Sequence, residues 1–82
     1  MAFSVYIVAC SDGTYYTGIA ADVEKRVREH NTSAKGARYT RSRRPVVLVY
    51  HENHPDRSSA LKREYAIKKM TRVQKSELVR TQ

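Results

Sequence analysis

The stretch that decides the fold is Phe3-Ser4-Val5-Tyr6-Ile7-Val8-Ala9, then Ser11-Asp12-Gly13-Thr14, then Tyr15-Tyr16-Thr17-Gly18-Ile19. Its outer segments are apolar and rich in β-favouring residues, and the Asp-Gly pair between them is a turn signal, so the stretch predicts a β-hairpin. Alternation along the strands places Tyr6 on the face opposite Val5 and Ile7, and Tyr16 on the face opposite Tyr15. Gly18 stands where a strand prefers a side chain, which predicts close approach by a ligand or another backbone. Cys10, directly after the first strand, reads as a small buried hydrophobe. As the only cysteine it excludes an internal disulfide framework and points to a reducing, cytoplasmic setting.

Beyond the hairpin, Asp22 is an N-cap for a short amphipathic helix running to about His30, with Val23 and Val27 one turn apart. Helical spacing puts Arg26 and His30 within a turn of the valines, bordering the buried face, while Lys25, Arg28 and Glu29 point away. After Arg44-Pro45, the continuous apolar run Val46 to Tyr50 predicts a third, well-buried strand, and His51 to Pro55 a turn. Asp56 or Ser58 caps a second helix to about Lys69, and Thr71-Arg72-Val73-Gln74 has the reciprocal pattern that starts a third. The expected order is β-β-α-β-α-α, in the α+β class. On the second helix Ala60, Leu61, Tyr65 and Ile67 mark an apolar stripe, and Glu64 falls near its middle. A carboxylate in that place needs a cation, a metal or a wet cleft, because an unpaired charge taken out of water destabilises the fold or shifts its pKa. Lys68, one turn on, offers an intrahelical pair as the plainer alternative.

The chain has 82 residues, 16 Lys and Arg against 8 Asp and Glu, and a net charge of +8, enough for one small domain with a shallow cleft. The excess charge lies in the later part: residues 1 to 30 hold three bases and four acids, residues 31 to 82 thirteen bases and four acids. Between Asn31 and Arg44 stand Lys35, Arg38, Arg41, Arg43 and Arg44 with no acid, and Tyr39 among them. Such a loop suits a phosphate backbone, with Tyr39 able to stack on an exposed base. No segment pairs a basic face with a broad apolar one, which argues against a membrane surface, and Phe3 to Cys10 lacks the basic flank of a signal peptide. His51, His54, Cys10 and His30 match no zinc-ligand spacing, and no phosphate-cradling glycine loop is present.

Taken in order, Ser4-Val5-Tyr6, Tyr16-Thr17-Gly18, Arg26-Val27-Arg28-Glu29-His30-Asn31, Lys35 to Thr40 and Ala60-Leu61-Lys62-Arg63-Glu64 resemble the GIY-YIG nuclease family. The resemblance covers nearly the whole chain and is closest to the small stand-alone bacterial members. Nine residues separate the two motif tyrosines. Ser4-Val5 replaces the first Gly-Ile, and Thr17 the second isoleucine. By this resemblance the fold is a three-stranded antiparallel sheet flanked by helices. It implies phosphodiester hydrolysis in a nucleic acid, most of all DNA, single-stranded or branched forms included, with one divalent cation, Mg²⁺ or Mn²⁺, and no small-molecule cofactor. Tyr6, Tyr16, Arg26, His30 and Glu64 carry the catalytic roles, with Glu64 the sole protein ligand to the metal and either Tyr6 or His30 the general base. Lys35, Arg38, Tyr39, Arg41, Arg43, Arg44 and Lys68 contact the nucleic acid. Larger members place an asparagine beyond the glutamate; this chain has none after Asn53, and Lys68 or Asn31 is left for that place. Two other classes stay open: a nucleic-acid-binding module without useful cleavage, and a nuclease subunit that needs a protein partner.

Overall fold

The computed structural model describes residues 2–82, and its sheet is built around the strand that the hairpin stretch begins. β1 (Phe3–Ala9) pairs antiparallel with β2 (Tyr15–Ala20) on one side and β3 (Val47–His54) on the other. Gly13, at φ 85°, supplies the left-handed turn residue between the first two strands, and Asp12 braces the turn by accepting from the Thr14 amide and hydroxyl. As the middle strand, β1 is buried on both faces, which is why it reads as a near-continuous apolar run.

The alternation of β1 sorts the core into two layers. Val5 and Ile7 pack with Tyr50 and with Ala60 and Ile67 of α3 (Arg57–Lys68), flanked by Leu78 and Val79 in the last turn of α4 (Arg72–Val79). Tyr6, Val8 and Cys10 face the other way, with Val46 and with Val23 and Val27 of α1 (Val23–Thr32). The caps are those expected: Asp22 accepts from the Lys25 amide, Asp56 from Ser59, and Thr71 with Gln74 closes the full capping box.

Three expectations need correction. The third strand is not well buried: it is an edge strand whose Val47 is 60% exposed, because β1 rather than β3 takes the middle of the sheet. The residues expected as a turn, His51 to His54, continue β3 opposite Phe3 to Tyr6. The basic loop contains one helical turn, α2 (Arg38–Arg41), so the order is β-β-α-α-β-α-α. That turn has no side-chain cap and is too short to form alone; tertiary hydrogen bonds to Thr40 and Arg43 hold it. The α3 stripe is also narrower than its composition suggests, since only Ala60 and Ile67 are buried and Tyr65 is 62% exposed.

Candidate active site

On the α1 side of the sheet, β1 contributes Tyr6, β2 Tyr16, and α1 Arg26 and His30. Tyr6 Oη lies 2.7 Å from His30 Nε2, in the buried layer. His30 is the one fully buried side chain of α1. Its Nδ1 faces Thr40 Oγ1 at 2.9 Å and the Ala37 amide at 3.2 Å. Tyr16 meets the imidazole edge-on at 5.3 Å and stacks on Tyr39 at 5.9 Å. Gly18 is explained here: a Cβ on it would sit 2.5 Å from Tyr6 Oη, so the close approach is made by the Tyr6 phenol, not by a ligand or a backbone.

Burial sets the protonation of this group. Desolvation, helped by the neighbouring Tyr16 and opposed by Arg26, pushes the Tyr6 phenol up to about 12. Desolvation and then the Arg26 cation bring His30 down to about 4, so the ring is neutral at pH 7. The helix-end cation that its position in the last turn allows is therefore absent. Arg26 donates through Nη1 to Glu29 Oε1 at 3.1 Å and to the Lys35 carbonyl at 2.7 Å. The guanidinium also stands close enough to the Tyr6 hydroxyl to hold the phenol pKa down, and Glu29 is its only carboxylate partner among the described residues, so it remains able to meet an anion.

Glu64 comes from α3, on the other side of the sheet, yet its carboxylate is close enough to raise the Tyr6 pKa. The side chain is 17% exposed, and Oε2 lies 3.4 Å from Lys68 Nζ. Both readings of Glu64 thus keep a footing: it has the intrahelical lysine, and it has oxygen lone pairs without other partners among the described residues. A single hard carboxylate suits Mg²⁺ or Mn²⁺, which complete their shells with water and phosphate. No group of three or more His, Cys, Asp or Glu side chains that could hold a metal is found among the described residues.

The structure divides the basic loop. Arg43 bonds Asp12 at 2.8 Å and the Tyr39 carbonyl at 2.8 Å, and its guanidinium lies 3.9 Å over the Tyr39 ring. Arg44 donates to the carbonyls of Glu29, His30 and Ser33, satisfying the open end of α1. These two cations are engaged by the fold, which narrows the expected phosphate-gripping set to Lys35, Arg38 and Arg41, all exposed. Tyr39 likewise has Tyr16 and Arg43 on its ring. Asn31 is held by Val46, accepting from its amide at 2.7 Å and donating to its carbonyl at 3.0 Å. Both side chains considered for the place of the missing asparagine thus have partners within the fold, Asn31 on Val46 and Lys68 on Glu64. Sequence reasoning passed over Thr40 and Ala37, whose only signal was their place in the motif run. A groove of about 420 Å³ lined by Ser4, Asp22, Leu48 and Asn53 among others holds none of the candidate catalytic side chains.

A three-stranded antiparallel sheet with two tyrosines on its first hairpin, an Arg and a His on the following helix and a Glu on a later one defines a nuclease-type catalytic domain. The chain belongs to the GIY-YIG catalytic domain family, a family of nucleases acting on nucleic acid, with residues 2–77 matched. It is 62% identical over 79 residues to a UPF0213 protein of Desulfotalea psychrophila, covering 96% of this chain and 72% of that protein. It is 53% identical over 74 residues to a UPF0213 protein of Halobacterium salinarum, covering 90% and 95%. Two structures solved by solution NMR share its fold. The UPF0213 protein of Bacillus halodurans has a TM-score of 0.64 at 41% identity, covering 100% of this chain and 86% of that one. A protein of E. faecalis has a TM-score of 0.66 at 41% identity, covering 99% and 85%. No helix among the described residues is long and apolar enough to cross a membrane.

Proposed function

We propose that the protein hydrolyses phosphodiester bonds in DNA with one divalent cation, Mg²⁺ or Mn²⁺, held by Glu64. What supports this reading most is the Tyr6–His30 pair beside the Arg26 guanidinium on one face of the sheet, with the Glu64 carboxylate near enough to act on the Tyr6 phenol. A bound cation supplies Lewis-acid stabilisation of the phosphate and of the leaving 3′ oxygen. Arg26 neutralises charge developing on the phosphoryl oxygens, a task for a guanidinium that never loses its proton. Tyr16, whose hydroxyl has no partner within the described residues, orients the phosphate, and Tyr6 with His30 handles the proton of the attacking water. Lys35, Arg38 and Arg41 hold the strand by its backbone, so affinity falls steeply with salt.

The test is cleavage of labelled single-stranded and duplex DNA with Mg²⁺, with Mn²⁺ and with a chelator, beside Glu64→Ala, with folding checked first. Cleavage that needs the metal and is lost in Glu64→Ala while binding persists is the expected result. Binding without cleavage in any metal, unchanged by Glu64→Ala, transfers the protein to the nucleic-acid-binding modules. The Glu64–Lys68 contact favours that second reading, because it gives the carboxylate a partner without a metal.

A further inference from the structure

Two groups from the segment after α1 converge on His30 Nδ1. The Ala37 amide points at it with N···N 3.2 Å, and Thr40 Oγ1 lies 2.9 Å away. A backbone N–H only donates. A proton on Nδ1 would therefore face the Ala37 proton with no acceptor between them. With Nδ1 bare, the 2.9 Å contact is a hydrogen bond when the Thr40 hydroxyl donates to the ring, and the Ala37 carbonyl at 2.9 Å is the competing acceptor for that one proton. The proton of the neutral ring is then on Nε2, facing Tyr6 Oη at 2.7 Å.

We infer that Ala37 and Thr40, at the cap and within the single turn of α2, lock His30 in the Nε2–H tautomer and make it a standing donor to Tyr6 Oη. Thr40 is thus a positioning residue, and His30 does not take the Tyr6 proton. Donation to the phenol oxygen favours the phenolate, against the burial that raises its pKa; once the phenol proton has passed to solvent, the phenolate held by Nε2–H accepts the proton of the attacking water. The charged and titratable groups around the ring are Tyr6, Tyr16, Arg26, Glu29 and Arg44. The two cations oppose a second proton on the ring, as the bare and twice-solvated Nδ1 requires. The purpose of the lock rests on the proposed nuclease reading; its existence does not.

The decisive experiment is a long-range ¹H–¹⁵N correlation spectrum of the ¹⁵N-labelled wild-type protein between about pH 5 and 8, the range of ordinary histidine titration. A pyridine-type Nδ1, a pyrrole-type Nε2 and a scalar coupling between Ala37 N and His30 Nδ1 are expected throughout. The reverse pattern, or a doubly protonated ring at pH 7, overturns the lock. Thr40→Val removes the hydroxyl at nearly constant shape. In cleavage assays it should lower kcat about tenfold with KM little changed and move the kcat profile to higher pH, with Thr40→Ser restoring both. A folded Thr40→Val with wild-type kcat and profile removes Thr40 from the positioning role. A wild-type protein that cleaves nothing in any metal refutes the nuclease reading, while the spectrum still decides the tautomer.

Discussion

The two layers of the protein each bury a polar cluster, and the clusters are built on opposite principles. On the α1 side, Tyr6, His30 and Thr40 form a chain of neutral groups joined by hydrogen bonds at 2.7 and 2.9 Å. On the α3 side, Glu52 is a charge surrounded: it accepts from Tyr50 Oη at 2.5 Å, from His54 at 2.6 Å and from Arg63 Nε at 3.1 Å to both oxygens. Burial alone would raise the Glu52 pKa, but the bonds from Tyr50, His54 and Arg63 outweigh it and bring it down. A carboxylate so filled has no lone pair left for a metal; it ties the edge strand β3 to α3. The neutral chain beside Arg26 has the opposite property, since it fixes donors and acceptors at Tyr6 and His30 without burying a charge in a low dielectric. Glu64, with one lysine for company, resembles neither and stays able to take a ligand.

The largest expected contrast between the layers is catalytic. Both Tyr6 and Tyr50 give a hydroxyl to a polar cluster, yet Tyr6→Phe should lower DNA cleavage by about 10³-fold, the usual worth of a general base, while Tyr50→Phe costs only stability. Equal losses in the two variants, measured at matched folded fraction, would erase the distinction between the layers. Acid titration separates them next. Unfolded His30 binds a proton near 6.5 and the folded residue only near 4, so its contribution is complete above pH 6.5 and declines as pH falls toward 4. The decline amounts to about 3 kcal/mol. Glu52 acts in a lower window: its pKa is depressed from 4.5, so its contribution is present above that value and is lost as pH falls through the folded one. Urea unfolding followed against pH should show both steps, and His30→Gln should delete the first alone. A smaller effect of about 2 kcal/mol is expected for Gly18→Ala, whose methyl must displace the Tyr6 ring. A variant as stable as wild type would mean that the ring has room to yield.

What the sequence made legible followed from local chemistry. The Asp-Gly turn, the hairpin it joins and the three helix caps are written in residues close to one another, and each stands in the structure as read. What it concealed depended on distant partners. Val46 to Tyr50 looked central because it is apolar, but a strand's place in the sheet is set by which neighbour pairs with it, and β1 had both sides free. The basic loop looked like one phosphate grip because charge alone does not tell such a grip from a helix cap, and Arg44 turned out to close the end of α1. Arg26 and His30 were legible as neighbours on one helical face; Thr40 was not, because its only partners are His30 and the Ala37 carbonyl, brought together by a turn of helix that no propensity foretells.

The smallest effect bears most directly on the contrast between the clusters. Glu52→Gln keeps the size of the side chain and most of its hydrogen bonds but removes the charge that Arg63 and His54 face. Arg63 is one-third exposed and can turn to water, so the loss should be about 1 kcal/mol, as for a partly solvated ion pair, and less in high salt. The difference from wild type should also vanish at low pH, because below its folded pKa the native Glu52 carries no charge either. Cleavage should not change, since Glu52 touches none of the side chains around Tyr6. If Glu52→Gln slowed cleavage at unchanged stability, the α3-side cluster would have to be joined to the reaction, and the division of the protein into a structural and a chemical layer would fail.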